Sequence, residues 1–237
     1  MSSDTTVSAA EVARFDALAA DWWDPDGPMR PLHRMNPARI GWIAARVARR
    51  FPDSAGVRLL DVGCGAGLAA EALARRGFDV LGLDAAAETI AAAQAHAAGR
   101  GLRLAYRSGA PEDLLAEGAR FPVVTALEVI EHVSDPAAFA HTLAALLQPG
   151  GLLFLSTLNR TARSFLSAKV GAEYLLRWLP VGTHDWRKFV APAELGHLLR
   201  DVGLRVTDVT GLVPDPLRGG WRTARDVGVN YLLAAEG

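Results

Sequence analysis

An α/β fold built on a doubly wound, mostly parallel sheet of seven strands is predicted by three features of the chain. Short apolar runs recur at 57–62, 79–83, 102–106, 121–127, 151–157, 204–210 and 229–235, each the length of a strand. Alanine-rich stretches of helical length lie between several of them, at 67–76, 86–98, 136–147 and 192–201. Strands alternating with such helices imply βαβ units and a sheet covered on both faces. The first run ends in "LLDVGCGAG", residues 59–67, where apolar residues stop at an acid and give way to glycines that open a helix.

The elements follow in order. Val12, Phe15, Leu18 and Trp22 are spaced for a helix over 8–24. "DPDGPMRPLHRMNP", residues 24–37, holds four prolines and a glycine and predicts an irregular loop. Ile40, Ile43, Val47 and Phe51 mark a second amphipathic helix, with Arg39, Arg46 and Arg50 elsewhere on its surface. Residues 1–52 therefore read as an N-terminal helical cap on a single domain spanning 1–237. The fourth strand opens with Phe121-Pro122, which predicts a bulged or edge-like start. Residues 158–190 break the strand–helix rhythm and read as an insertion after strand five.

Composition narrows the class. With 50% hydrophobic and 22% charged residues, the 237-residue chain has the balance of a globular protein and the length for a substantial core. A formal charge of −1 gives no support to nucleic-acid binding. The single cysteine, Cys64, excludes an intrachain disulfide and cysteine-rich zinc sites, and fits a cytoplasmic setting. The N-terminus lacks the basic and apolar regions of a secretory signal, and no apolar run approaches the ~20 residues that span a bilayer.

The glycine-rich turn points to a nucleotide-type ligand. Gly63, Gly65 and Gly67 follow a strand and precede a helix, and Asp84 ends the second strand, where a carboxylate can accept both ribose hydroxyls or cap the next helix. Asp61 decides which ligand. A dinucleotide would set its pyrophosphate beside this carboxylate, a like-charge contact costing several kcal/mol in a partly dry site. S-adenosylmethionine carries a sulfonium and an ammonium instead, and the G-x-G-x-G spacing also departs from the dinucleotide pattern. An NAD(P)-dependent oxidoreductase is the competing reading, and both the acid and the spacing weigh against it.

"LDVGCGAG" followed by "GLD" resembles the class I, Rossmann-like methyltransferases. "RFDALAADWWDPDGPMRPLHRMNPARIGWI", "EVIEHVSDP", "STLNRT", "VGAEYLLRWLPVGTHDWRKF" and "VNYL" are similar, over nearly the whole length, to the ubiquinone-biosynthesis O-methyltransferases. The resemblance implies methylation of catechol-type hydroxyls on polyprenylated rings, in both O-methylation steps. It further implies that Arg39, Gly63, Asp84 and Leu127 line the cofactor site, with Arg39 pairing with a carboxylate. O-methylation of a smaller soluble phenol, and a non-catalytic scaffold that retains a cofactor pocket, are the alternatives.

Glu128, Glu131 and His132 follow strand four at i, i+3 and i+4, which on a helical turn share one face. Two carboxylates and an imidazole there could hold Mg²⁺, while His132 could instead act as general base, and the same residue types also serve as caps and packing groups. His33 and His184 fall in family-like blocks and are candidates to touch substrate. His96, His141 and His197 fall in predicted helices and read as surface or packing residues.

The insertion mixes Arg160, Arg163, Lys169, Arg177, Arg187 and Lys188 with Phe165, Leu166, Val170, Tyr174, Leu175, Leu176, Trp178 and Leu179. Basic and apolar residues so mixed suit either a lid or a segment resting on an anionic lipid surface. Such a placement would make the protein peripheral on the inner membrane, where a complex of biosynthetic partners is a further expectation.

Overall fold

The computed structural model describes residues 5–166, 186–217 and 219–237. The cap holds α1 (Ala9–Asp16), a 3₁₀ turn at Ala19–Asp21 and α2 (Arg30–Arg50). Then come β1 (Arg58–Val62), α3 (Leu68–Ala74), β2 (Asp79–Asp84), α4 (Ala87–Ala97), β3 (Leu104–Ser108), α5 (Pro111–Ala116), β4 (Phe121–Leu127) and α6 (Pro136–Ala145). The chain continues through β5 (Leu147–Leu158), the single turn α7 (Ala162–Ser164), α8 (Pro192–Asp201), β6 (Arg205–Asp215), β7 (Gly220–Ala224) and β8 (Asn230–Glu236).

Among the described residues the strands form one sheet of order β3-β2-β1-β4-β5-β8-β6-β7. Pairing is parallel from β3 to β5 and antiparallel where β8 meets β5 and β6. The α/β, doubly wound class is thus as predicted, with eight strands in place of seven. The extra strand, β7, turns back on the end of β6, pairing Pro214 with Trp221. The ladder of β4 slips between Phe121 and Val123, the bulged start that Pro122 implied.

Three sequence expectations need correction. The helix placed at 8–24 stops at Asp16 and resumes only as a 3₁₀ turn. Residues 30–37 of the expected loop belong to α2, whose Pro31 falls in the first turn, where a missing N–H removes no helical bond. Pro37 lies inside the helix, where neighbouring Ile40, Ile43 and Val47 are buried against the sheet and hold it in place. Finally α5, only six residues long, was not foreseen.

The two faces of the sheet bury different helices. Leu59, Val123, Phe154, Leu232 and Ala234 point toward α2 and α3, while Leu60, Val124, Leu153, Leu155 and Leu233 point toward α6 and α8. Side chains alternate along a strand, so the positions that share the α2 face can be counted forward to the carboxyl edge. They reach Asp61 on β1, Thr125 on β4, Ser156 on β5 and Asn230 on β8, all buried. The apolar layer therefore ends in a polar row beneath α2, at the edge where open α/β sheets hold ligands.

Candidate active site

The turn after β1 is shaped by its glycines. Gly65 has φ 54° and a Cβ there would enter the Trp22 ring, so only glycine lets the cap close over the turn. Gly67, φ 90°, is the N-cap of α3, and a Cβ on it would collide with the Tyr106 hydroxyl. Trp23 Nε1 donates to the Ala66 carbonyl at 3.0 Å, a second tie between cap and turn. His33 faces the Trp22 carbonyl, 2.9 Å away, and serves the cap.

Asp84 braces the turn from β2. Its Oδ2 accepts from Gly65 N at 2.8 Å and its Oδ1 from Ala86 N at 2.9 Å. Helix α4 begins at Ala87 with Ala86 as N-cap, so Asp84 lies two residues ahead of the cap position. Burial raises its pKa, against the two backbone hydrogen bonds.

The polar row meets α2 at a chain of charges. Asp61 is 1% exposed; its Oδ1 accepts from Thr125 Oγ1 at 2.6 Å, and its Oδ2 has no partner. Burial raises its pKa to about 6, against the Thr125 hydrogen bond and the Arg39 charge. Arg39, 3% exposed, lies 3.9 Å from Glu128 and leaves its own Nε unpartnered. Ser156 Oγ donates to Glu128 Oε1 at 2.6 Å, and Asn230 Nδ2 lies 3.2 and 3.3 Å from the two Glu128 oxygens.

Beyond β4 the chain does not form the helical turn that the i, i+3, i+4 spacing suggested. Glu128 has φ 58°, the one positive value outside glycine among the described residues, and 128–134 make turns and bends. The three side chains consequently diverge. Glu128 turns to Ser156 and Asn230, Glu131 accepts from Thr157 Oγ1 at 2.9 Å, and His132 Nδ1 lies 3.1 Å from Glu11 Oε2. No group of three histidine, cysteine, aspartate or glutamate side chains gathers as a metal site among the described residues. As arranged, this donor set does not fit a bound Mg²⁺.

These groups have strongly shaped titration. Burial, then the Glu128 charge, lifts Glu131 to about 7. The hydrogen bond from His132 holds Glu11 at about 2. For His132, burial favours the neutral ring, but Glu11 and Glu131 outweigh it and the pKa is raised. Burial pushes the Cys64 thiol far up, which fits packing and not nucleophilic attack.

All of Arg39, Asp61, Gly63, Gly65, Asp84, Leu127, Glu128, Glu131 and His132 line one cavity of about 580 Å³ at the carboxyl edge. Sequence reasoning missed Glu11, Trp22 and Asn230, which line it too. His184 lies outside the described residues. His96 packs instead, stacked on Trp23 and 2.5 Å from buried Glu71, and His141 and His197 are exposed.

The sequence profile of a methyltransferase domain family matches residues 34–209. A ubiquinone biosynthesis O-methyltransferase of Azorhizobium caulinodans is 48% identical, covering 100% of this chain and 96% of the relative. One of Methylobacterium nodulans is 52% identical, covering 99% and 98%. The chain belongs to the ubiquinone biosynthesis O-methyltransferase family. It is an enzyme of the S-adenosylmethionine-dependent kind. Its fold is shared by the magnesium protoporphyrin IX methyltransferase of Synechocystis PCC 6803, solved with bound SAH, at TM-score 0.68 and 21% identity over 96% of this chain and 98% of that one.

The unpartnered Asp61 and Arg39 atoms give this O-methyltransferase a pH signature. The Asp61 pKa of about 6 lies above its ordinary 3.8, so the folded state binds the proton more tightly than the unfolded chain. Stability of the ligand-free protein is therefore expected to fall as pH rises from about 4 through about 6. Asp61→Asn keeps the Thr125 bond and removes the buried charge. Urea unfolding should show the variant more stable than wild type at pH 8, by about 1.5–3 kcal/mol, with the gap closing near pH 4. Equal stability at pH 8 would contradict the buried, unpartnered carboxylate.

Proposed function

We propose that this chain methylates catechol-type hydroxyls on polyprenylated ring intermediates, and that one cavity serves both O-methylation steps of ubiquinone biosynthesis. The observation that carries the reading is the cavity's mixed chemistry. Asp61 and Arg39 line it among apolar walls, and each keeps a buried atom without a partner, a carboxylate oxygen and a guanidinium nitrogen. Those groups complement the ammonium and carboxylate of an amino-acid moiety, with Asp84 placed for a ribose. S-adenosylmethionine, when bound, supplies an electrophilic methyl group.

The chain's own residues do the rest. Trp22 and Trp23 close the cap over the glycine turn and exclude water. The Arg39–Glu128 pair orients the polar end of the cavity. Glu11 accepts at His132 Nδ1, which fixes the tautomer with Nε2 free to take the phenol proton. No step requires a metal, because the expected ligands point to other partners.

Incubation with a prenylated catechol and labelled S-adenosylmethionine, read by mass spectrometry, is expected to give a mono-methylated product. His132→Ala should lose about 10²–10⁴-fold in kcat, while wild type keeps full activity in chelator. Loss of wild-type activity in chelator, restored by Mg²⁺, would replace the base reading by a metal one.

A lipid surface as the source of substrate is part of the same reading. No helix among the described residues is long and apolar enough to cross a membrane. Support comes from the flank of the insertion, where Leu166 is 60% exposed. The described basic residues there are engaged: Arg160 with Glu194, Arg163 with Asp226 and Lys188 with Glu11. Lys169 and Arg177 lie outside the described residues, so any lipid attraction is assigned to them. Co-sedimentation with anionic vesicles at low salt should fall when Lys169 and Arg177 are replaced by glutamine, by about 1 kcal/mol each. Absence of binding to anionic vesicles would leave the insertion as a lid.

A further inference from the structure

Asn230 opens β8 in the polar row, 3% exposed and against the cavity. Its orientation follows from its partner. Glu128 offers oxygens that already accept from Ser156, so the group 3.2 and 3.3 Å from them must be the amide nitrogen. The Asn230 Oδ1 is thereby turned away from Glu128, and it is buried without a hydrogen-bond partner. A buried acceptor left unpaired is destabilising, a cost that a ligand donor would remove.

The place of this oxygen in the sheet says which ligand. The cofactor candidates Asp61 and Asp84 stand on β1 and β2, whereas β8 lies three strands from β1, with β4 and β5 between. At ~4.8 Å per strand that is a separation of about 14 Å. The third candidate, Arg39, is separated from Asn230 by Glu128, whose Oε1 both approach. Apart from Glu128 and Arg39, the cavity lining on this side is apolar: Leu158 and Val229 flank Asn230, and the β6–β7 hairpin contributes the paired Pro214 and Trp221. This is a wall for a flat ring carrying one hydrogen-bond donor.

We propose that Asn230 Oδ1 accepts a hydrogen bond from the ring hydroxyl adjacent to the one being methylated, so that this asparagine makes the enzyme select ortho-diols. The assignment rests on the function proposed above and adds a specificity-determining residue to it. Glu128 acts here as the positioning group, holding the amide by its nitrogen so that the oxygen faces substrate.

The test compares kcat/KM for a prenylated catechol and for the matched monophenol, in which the adjacent hydroxyl is replaced by hydrogen. Wild type is expected to favour the diol on the order of 10-fold or more, since the analogue leaves the buried oxygen unpaired. In Asn230→Ala that ratio should move toward one, while the Kd for S-adenosylmethionine, by calorimetry, changes less than about twofold. An unchanged ratio in the variant overturns the assignment. A weakened cofactor Kd with the ratio intact also overturns it, placing the oxygen at the cofactor instead. Should the variant not fold, the wild-type pair decides alone, and equal rates on both substrates refute it. Turnover of neither substrate by wild type is the separate failure of the proposed function itself.

Discussion

The site depends on ionised groups being held out of water without full pairing. Buried Asp61 and Arg39 and half-buried Glu128 form a line of charge in which Arg39 stands between two acids yet keeps an unpartnered Nε, and Asp61 an unpartnered oxygen. A buried ion pair with every hydrogen bond made would be neutral toward ligands; one left incomplete favours a ligand that completes it. Much of the surrounding architecture serves to keep these groups in place. Thr125 and Ser156 occupy strand positions on the α2 face, and each donates to a carboxylate. Helix α2 delivers Arg39 from above, anchored by Ile40, Ile43 and Val47 in the core.

The same constraint explains the cap. Open to bulk water, Asp61 and Arg39 would be screened and would discriminate weakly. Trp22 against Gly65 and Trp23 on Ala66 hold the described part of the cap before α2 over the turn. Glu11 then ties α1 to His132 and Lys188, linking the cap to the segments that follow β4 and the insertion. Closing the cavity and setting the imidazole are one structural event, since the residue that orients His132 comes from the element that excludes solvent.

How much of this was legible in the sequence varied with the kind of signal. Strand–helix alternation carried the fold class, and the glycine turn with Asp61 and Asp84 pointed to residues that the fold gathers at one cavity, because both are local patterns. Strand β7 was missed because "GWRTA" shows no apolar run and gains its place by pairing with β6 and packing on α2. The start of α2 was hidden by prolines, although Pro31 is in the one turn where proline fits a helix. The face shared by Glu128, Glu131 and His132 was inferred from helical spacing, and the positive φ of Glu128 removed the helix. Glu11 gave no cue, being an ordinary acid on an amphipathic helix.

Ser156 and Asn230 did leave a trace: each interrupts or borders an apolar run that is buried on both faces. A polar residue in such a strand must find a partner, since leaving it unpaired is costly. Counting in twos from the core positions Phe154 and Leu232 puts both on the α2 face at the carboxyl edge, beside Asp61 and Thr125. Four polar residues on four adjacent strands, on one face and at one edge, are hard to explain by stability, because apolar residues of similar volume would pack there without desolvating polar groups. Two of the four, Thr125 and Ser156, find their partners within the row or on Glu128. Asp61 and Asn230 each keep one buried acceptor unpaired, at opposite ends of the row, and it is these two open acceptors that a ligand can complete.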